Sequence, residues 1–392
     1  MTSTLRFCAP RAALAVILVG AALAAPLPPV AQAASRPGLI ASENLGAGIV
    51  VLPAGGGSAG GWFHPVSTGQ FPAWSPNGET LAFVGGGVGQ IMLADRAGHH
   101  FSTLVTDPTG AFSLAWSPDG TKIAYMCDGT SVTDVGPYVT QICELDVLTG
   151  SRRFLTNPKI NDPAHAVVGV AGSLSWSPKG DEIAFDSQTA TPCTTAGVTG
   201  CLKSEVALLN VKTGTIEQIT NHDAGAAAFS PDGNEMSYYE RSGPNAGLDV
   251  ASASGTFLRR VESSANVNCE SCGYVTSAWS PDGKQLVFSA ADRTRHLNLF
   301  EVSSHGGPTK QLTNYASDIV QPTWTALVTK CTVPKLKGQT FAKAKKLIML
   351  AGCTLGKITG HKKNRGALKV VNQNPRARKD VPTGTKINVQ IR

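Results

Sequence analysis

The strongest constraint on the fold is a twelve-residue phrase that recurs along the chain. One complete copy is LAWSPDGTKIAY, from Leu114 to Tyr125. Apolar and aromatic residues flank a Ser-Pro-Asp-Gly turn, in which Pro118 presets φ and Gly120 allows the exit. The phrase therefore predicts two short antiparallel strands joined by a tight turn.

Four other copies keep this pattern, and a sixth keeps only the aromatic residue. They are PAWSPNGETLAF (Pro72 to Phe83), LSWSPKGDEIAF (Leu174 to Phe185), AAFSPDGNEMSY (Ala227 to Tyr238) and SAWSPDGKQLVF (Ser277 to Phe288), then QPTWTAL around Trp324. A period of roughly 40 to 50 residues made of short strands is typical of a β-propeller with four-stranded blades. A two-sheet sandwich is the alternative, which five near-copies of one phrase disfavour.

The aromatic residues of the copies are predicted to fill equivalent gaps between neighbouring blades. They are separated by 42, 60, 53, 50 and 45 residues, and the three longest intervals each contain a pair of cysteines. The extra segments are either recognition loops or tolerated insertions. The predicted blade anchors are Trp74, Trp116, Trp176, Phe229, Trp279 and Trp324.

The number of strands predicts how the ring closes. The last repeat stops after its Trp324 strand, two strands short of a blade, while Leu39 to Gly56 contain LIAS and GIVVLPAGG upstream of the first repeat. We expect this N-terminal pair to complete the last blade. The predicted fold is an all-β six-bladed β-propeller followed by a small α+β domain.

The first 33 residues are predicted to be a secretory signal peptide. Arg6 and Arg11 precede the apolar run AALAVILVGAALA, and AQA at Ala31 to Ala33 offers small residues for cleavage. A retained membrane anchor is the alternative, but it needs about 20 apolar residues, and prolines interrupt this stretch. No later segment is apolar enough to span a bilayer, so we expect a mature chain without a transmembrane segment.

Eight cysteines remain after the signal and fall into four close pairs along the chain. Disulfides persist in exported proteins, so local pairing in sequence order is the simplest interpretation, although eight cysteines allow 105 connectivities. The CESC motif is alternatively a redox site, but it precedes a predicted strand rather than a helix. The disulfide candidates are Cys127, Cys143, Cys193, Cys201, Cys269, Cys272, Cys331 and Cys353.

The WSPDG phrase followed by IAF or IAY resembles the TolB-type propeller repeat over about residues 37–328. This resemblance implies the propeller fold. It does not imply one role, because the repeat occurs in periplasmic translocation proteins, in peptidase-associated propellers and in other exported proteins.

Charge divides the chain into two parts. Residues 329–392 hold 16 Lys and Arg but a single acidic residue, Asp380, which gives a net charge of +15. The whole chain carries +7 and the signal contributes +2, so residues 34–328 carry −10. This asymmetry is typical of two domains with different partners.

The basic tail has a folding pattern of its own. In TFAKAKKLIMLAG, apolar residues from Phe341 to Ala351 recur at helical spacing, and Gly352 is a natural C-terminal stop. LKVVNQ and KINVQIR then read as strands. Cys331 and Cys353 flank the helix, where a disulfide would stabilise a domain of this size.

The phrases VPKLKGQTFAKAKKLIMLAGCTLGKI, VVNQNP and VPTGTKINVQI resemble a PASTA domain. The resemblance implies binding of peptidoglycan fragments or unlinked wall material. One departure is Arg378, which stands where the pattern has a turn glycine after Gln-x-Pro. The matching positions are Val333, Pro334, Gly338, Ala344, Gly352, Gln373, Pro375, Val381, Pro382 and Gly384.

The basic side chains of the tail are predicted to bind peptidoglycan or another anionic wall polymer, with salt-sensitive strength. Nucleic acid and membrane lipid are alternatives, as is a role in solubility alone. Export disfavours nucleic acid, and the tail lacks aromatic residues on which bases would stack. The candidate binding residues are Lys343, Lys345, Lys346, Lys362, Lys363, Arg365, Arg376, Arg378 and Lys379.

The sequence contains little that indicates catalytic chemistry. GGSAG around Ser58 matches G-x-S-x-G formally but lies in a glycine-rich loop between predicted strands, not on a strand-turn-helix elbow. The eight histidines show no metal-ligand spacing. Asp119, Asp232 and Asp282 read as turn residues. No cofactor, metal or catalytic residue is therefore predicted.

These observations predict a secreted, cell-wall-associated protein with a signal peptide (1–33), a propeller (34–328) and a PASTA-like domain (329–392). We expect it to be a non-catalytic binding protein. Its tail would hold wall polymer, and its propeller would be a platform for an unidentified envelope protein, peptide or glycan. The alternative is a propeller enzyme, a lyase or hydrolase, that acts on wall-derived material at the pore mouth.

Overall fold

The computed structural model describes residues 38–56, 69–85, 87, 89–98, 101–108, 110–128, 140–156, 173–191, 201–241, 246–263, 276–326, 330–360 and 367–392. The region Pro37–Arg392 is one compact unit. The predicted signal peptide lies outside the described residues.

The described chain begins with two paired strands and continues with five four-stranded antiparallel sheets. Strands β1 (Leu39–Asn44) and β2 (Gly48–Pro53) pair with each other. Each later sheet uses four consecutive strands in chain order. Blade 1 is β3 (Gln70–Trp74), β4 (Thr80–Val84), β5 (Gln90–Asp95) and β6 (Phe101–Thr106); blade 2 is β7 (Phe112–Trp116), β8 (Lys122–Asp128), β9 (Thr140–Asp146) and β10 (Arg152–Phe154). Blade 3 is β11 (Leu174–Trp176), β12 (Glu182–Thr191), β13 (Cys201–Asn210) and β14 (Ile216–Gln218); blade 4 is β15 (Ala224–Phe229), β16 (Glu235–Glu240), β17 (Gly247–Ser252) and β18 (Phe257–Ser263). Blade 5 is β19 (Ser277–Trp279), β20 (Gln285–Ala291), β21 (Leu297–Ser303) and β22 (Lys310–Gln311).

The sixth sheet joins the two ends of the propeller sequence. Strand β23 (Ile319–Thr325) pairs with β1, with Trp324 opposite Ile40. The sheet order is β2-β1-β23, so blade 6 has three strands within the described residues, rather than four. Strand β23 lines the cavity side, β1 is the central strand, and β2 forms the other edge of this sheet within the described residues. The predicted all-β six-bladed propeller is confirmed.

Alternation along the strands builds the core between the blades. In β1, Ile40 packs with blade 5 residues such as Val287 and Leu299, whereas Ala41 packs with blade 1 residues such as Leu81 and Phe83. Successive side chains of a strand point to opposite faces of its sheet. Every blade therefore buries both faces, one against each neighbour.

Local hydrogen bonds explain why the same turn recurs. In each turn, the serine before the proline hydrogen-bonds to the residue that follows the proline. Ser230 Oγ donates to Asp232 Oδ1 at 2.6 Å, and Ser280 Oγ donates to Asp282 Oδ1 at 2.7 Å. These hydroxyls hold the pKa of both aspartates below the usual value. The predicted role of the aspartates as turn residues agrees with this geometry, since a carboxylate that accepts local hydrogen bonds stabilises such turns.

Within the described residues, the C-terminal domain has one helix and five strands. They are β24 (Lys330–Thr332), α1 (Phe341–Leu350), β25 (Thr354–Gly360), β26 (Val370–Asn374), β27 (Asp380–Pro382) and β28 (Lys386–Ile391). Helix α1 buries Phe341, Ala344 and Ile348. Strand β25 runs parallel to β28, and β26 pairs with β28 on its other side in antiparallel fashion.

The end of α1 contacts the turn of blade 1. Asn77 in this turn accepts a hydrogen bond from Ser75 Oγ at 2.7 Å through its Oδ1, as the turn aspartates do, and donates its Nδ2 to the carbonyl of Leu350. The carbonyls of the last helical turn lack partners within their helix. An asparagine, unlike the aspartate of blades 2, 4 and 5, offers this donor.

We predict that Asn77→Asp weakens this contact, because a carboxylate would face the Leu350 carbonyl. A lost hydrogen bond of this kind costs about 1–3 kcal/mol. Hydrogen exchange of the amides of Gly352 and Cys353, which bond back into α1, should become faster. Asp282→Asn, at the same position of blade 5, should leave this exchange unchanged; equal rates in Asn77→Asp and wild type would contradict the prediction.

Candidate functional site

The inner strands of all six blades surround a central cavity of about 590 Å³. Each blade contributes its anchor aromatic, and these side chains are only 6–9% exposed. Trp116 Nε1 donates to Ala73 O of blade 1 at 3.0 Å, and Trp279 Nε1 donates to Ala228 O of blade 4 at 2.9 Å. Trp116 and Trp279 therefore connect neighbouring blades by hydrogen bonds, and all six anchors form part of the cavity wall.

Five exposed prolines lie around one end of the cavity, which we call the turn side. They belong to the five Ser-Pro turns and line the cavity as well. Their exposure places this end of the cavity at the protein surface. The turn-side prolines are Pro76, Pro118, Pro178, Pro231 and Pro281.

The opposite end is formed by the third residue before each anchor, a set that we call the inner ring. Four of its members have a left-handed backbone, with φ of 53° at Phe71, 43° at Ser113, 56° at Ala226 and 53° at Gln321. The pairing of their strands shifts register at or beside these residues. Strained non-glycine residues persist where surrounding packing imposes them, and they cluster at functional sites. The inner ring is Phe71, Ser113, Ser173, Ala226, Thr276 and Gln321.

No ionisable side chain lines this cavity among the residues that the structure describes. Nor does any group of three His, Cys, Asp or Glu side chains suited to a metal ion occur in the described ranges. General acid–base catalysis needs a titratable group within hydrogen-bonding reach of the substrate. The described wall is therefore suited to binding an uncharged molecule. The inner ring was not predicted from the sequence, although no ionisable residue occurs in FPAW, SLAW, SLSW, AAAF, TSAW or QPTW.

Two buried carboxylates connect blades just outside the inner ring. Glu43 Oε2 of blade 6 accepts a hydrogen bond from the Phe71 amide of blade 1 at 3.2 Å, and Asp186 Oδ1 of blade 3 accepts one from the Ala226 amide of blade 4 at 2.7 Å. Arg241 Nη2 lies 2.7 Å from Asp186. Burial raises the pKa of both carboxyl groups. These residues fix the strained amides in place instead of facing the cavity.

The raised pKa of Glu43 predicts how stability depends on pH. Because the native state holds this proton more tightly than the unfolded chain, stability falls as pH rises from the usual glutamate pKa through the native pKa. In Glu43→Gln this fall should disappear. The difference in free energy of unfolding, variant minus wild type, should therefore increase from pH 4 to pH 7 in urea titrations. Exposed Glu217→Gln is the matched control; a pH-independent difference for Glu43→Gln would contradict the prediction.

The C-terminal domain brings part of the predicted basic set to one edge. The backbone of Val333 bonds to Arg378 at 2.7 Å and to Lys379 at 2.9 Å, and the Gln373 side chain bonds to Pro334 and Leu336. These bonds hold residues 333–336 beside residues 373–379. Exposed Lys335, Arg376, Arg378 and Lys379 thus share what we call the basic edge.

The remaining predicted basic residues do not belong to that edge. Lys343, Lys345 and Lys346 lie on α1, where Lys345 is exposed and the other two are half-buried. Lys362, Lys363 and Arg365 lie outside the described residues. Lys335 was not predicted from the sequence. The hydrogen bonds of its neighbours Pro334 and Leu336 to Gln373 bring it to the segment that holds Arg376.

Arg378 adopts φ of 63°, the left-handed region that favours glycine. The departure from the PASTA pattern thus keeps the turn conformation and adds an exposed guanidinium. The conformation costs a non-glycine residue on the order of 1 kcal/mol. The basic edge therefore includes a residue in an unfavourable backbone conformation.

Two of the predicted cysteine pairs form disulfides in the described part of the chain. Cys127 of β8 bonds Cys143 of β9, with 5.9 Å between their Cα atoms, and Cys331 bonds Cys353 across α1, with 5.5 Å. Cys193, Cys269 and Cys272 lie outside the described residues, as does the side chain of Cys201. The choice between a redox site and a clip for CESC thus stays a prediction.

Comparison with known families identifies the C-terminal domain. Residues 332–392 match the model of the PASTA domain. This segment of the chain is therefore a PASTA domain, as the sequence resemblance predicted.

Comparison with solved structures confirms the resemblance of the propeller to TolB. TolB of Acinetobacter baumannii has a TM-score of 0.57 at 16% identity and covers 74% of this chain, which in turn spans 66% of that protein. A putative TolB of Agrobacterium tumefaciens has a TM-score of 0.50 at 17% identity over 72% of this chain and 90% of its own. A chain of a nidogen–laminin complex has 0.52 at 10% identity over 74% and 98%. At these identities the likeness concerns the fold alone.

One curated relative is a Bacillus subtilis protein named uncharacterized peptidase YuxL. It is 27% identical over 180 residues, which is 44% of this chain. The matched segment spans only 22% of that relative. Among the described residues, no helix has the length and apolar character needed to cross a membrane.

Proposed function

We propose that this chain is an exported cell-envelope binding protein. Its PASTA domain would bind peptidoglycan or another anionic wall polymer, and its propeller would be the platform for an envelope ligand. The proposed organisation is a signal peptide at 1–33, a propeller at 34–328 and a PASTA domain at 329–392. Two disulfides support export, because such bonds persist in oxidising compartments.

The observation that carries this proposal is the basic edge within a PASTA domain. Four cationic side chains are exposed there, and Asp380 is the acidic residue adjoining them in sequence. Such a cluster attracts carboxylates and phosphates of a polymer, and its attraction falls with ionic strength. Arginine also forms paired hydrogen bonds with these groups. The edge therefore suits polymers that carry regularly spaced anions.

We predict that reversing charge at the basic edge weakens wall binding. The variant Arg376→Glu, Arg378→Glu, Lys379→Glu should pellet with purified cell wall about tenfold less tightly at low salt. The loss should shrink as salt is raised, because salt screens the contribution that was removed.

The control carries the same change in net charge on the propeller. Lys212→Glu, Lys284→Glu, Arg293→Glu alters three exposed side chains and should pellet like wild type. Equal losses in both variants would mean that net charge alone governs the interaction. Equal pelleting of the basic-edge variant and wild type would refute the assigned surface.

A second candidate function is an enzyme that acts on wall-derived material. The match to a relative named as a peptidase favours it. The uncharged wall of the described cavity opposes it, since acid–base chemistry would need residues from elsewhere. Incubation with muropeptides and glycans, followed by mass spectrometry, separates the candidates: new masses would support the enzyme.

A further inference from the structure

The central cavity combines strain, aromatic walls and unsatisfied polar atoms in one place. We infer that it is a binding site for an uncharged saccharide of one to three rings. The inference rests on the proposed function, because it names the ligand class of the propeller platform. Its volume of about 590 Å³ lies within the range of roughly 300–1,000 Å³ found for small-molecule sites.

The absence of charge restricts the ligand first. The described lining holds no acidic or basic side chain, although residues 34–328 as a whole carry −10. An ionised group entering this cavity would lose its hydration without gaining a counter-ion, which is costly. Anionic wall polymer, the proposed ligand of the basic edge, is therefore unsuited to the cavity.

The polar atoms of the lining then require hydrogen-bonding partners. Gln321 Oε1 and Ser173 Oγ are buried without a hydrogen bond in the described structure. Both belong to the inner ring. A buried polar atom without a partner costs about 1–3 kcal/mol, so a ligand that donates to Gln321 would stabilise the site. Saccharide hydroxyls donate and accept, as these two groups together need.

The inner ring also combines polar and apolar members. Phe71 and Ala226, of the opposed blades 1 and 4, are apolar. The other four members have hydroxyl or amide groups: Ser113, Ser173, Thr276 and Gln321. A pyranose ring has the same two characters, with hydroxyls at its edge and C–H groups on its faces. A peptide brings charged termini or side chains that this wall does not pair.

The tryptophans provide a direct measurement. Five of the six tryptophans of the chain line the cavity, so occupation should change intrinsic fluorescence. The full chain is titrated with three probes: the β-1,4-linked disaccharide and trisaccharide of N-acetylglucosamine, and cellobiose, which lacks acetamido groups. A neutral blocked tripeptide is the fourth probe. We expect saturable binding of at least one saccharide by fluorescence and calorimetry, and the two sugar types tell whether acetamido groups are recognised.

The variant Gln321→Glu keeps the size of the side chain and places a carboxylate in the cavity. It should bind the saccharide at least about tenfold more weakly at pH 7, since a buried carboxylate must remain hydrated or paired. Gln311→Glu, on the exposed outer strand β22, should bind like wild type. Should Gln321→Glu fail to fold, Thr276→Val removes one hydroxyl at nearly constant volume, and its affinity should fall severalfold.

The inference is overturned if no saccharide binds, if only the tripeptide binds, or if Gln321→Glu binds the saccharide like wild type. Should Gln321→Glu not fold, wild-type affinity of folded Thr276→Val overturns it as well. Wall pelleting is measured on the same samples. Lost saccharide binding with intact pelleting would refute the cavity site and leave the proposed wall binding standing. Intact saccharide binding with lost pelleting would refute the proposed wall binding and leave the cavity site standing.

Discussion

Replacing Ile40 with alanine should lower the free energy of unfolding of the propeller by about 2–5 kcal/mol, the usual cost of emptying a fully buried aliphatic site. Ile40 has no exposed surface. It lies opposite Trp324 and packs against blade 5, so it holds β1 in the closing sheet. Urea unfolding followed by tryptophan fluorescence measures the effect.

The control for this prediction is Leu258→Ala on the outer strand β18, where the side chain is 47% exposed. Its effect should stay within about 0.5 kcal/mol. If Ile40→Ala unfolded at the same urea concentration as wild type, closure by β1 would contribute nothing to stability. A loss in the expected range would show that packing of β1 against blade 5 stabilises the propeller.

Removing the Cys331–Cys353 disulfide should unfold the PASTA domain while the propeller remains folded. A native disulfide of a small domain contributes about 2–5 kcal/mol, and a core of this size has little stability to spare. In Cys331→Ser, Cys353→Ser, the α1 amides should exchange much faster with solvent. Pelleting with cell wall should fall in parallel.

The matched control is Cys127→Ser, Cys143→Ser in blade 2. It removes a disulfide of similar geometry but should leave the exchange of α1 unchanged. Protected α1 amides in the Cys331 and Cys353 variant would mean that the other ten residues of the buried cluster of this domain suffice without the disulfide.

The fold could be predicted because each blade is encoded locally. LAWSPDGTKIAY supplies its own turn hydrogen bonds, and its strands appear as β7 and β8. The number of strands in blade 6 was less predictable. The expected composite blade has three described strands, since one strand of the last repeat pairs directly with β1.

The candidate site was less visible because its special features come from tertiary packing. Left-handed backbone at Phe71 and Ser113 has no signature in residue type, since neither is glycine. The Glu43–Phe71 and Asp186–Ala226 bonds connect different blades and follow from no local pattern. Asn77 stands where the turns of blades 2, 4 and 5 have aspartate, and this difference is visible in the sequence. Its role as a donor to Leu350 follows only from the fold.

The Cys127–Cys143 disulfide has a consequence for protein engineering. The link and the seven residue pairs between β8 and β9 fix these strands independently of residues 129–139, which connect them. Doubling the length of such a connection costs only about 0.6 kcal/mol of chain entropy. A foreign epitope that replaces residues 129–139 would be displayed by two paired strands that a disulfide links.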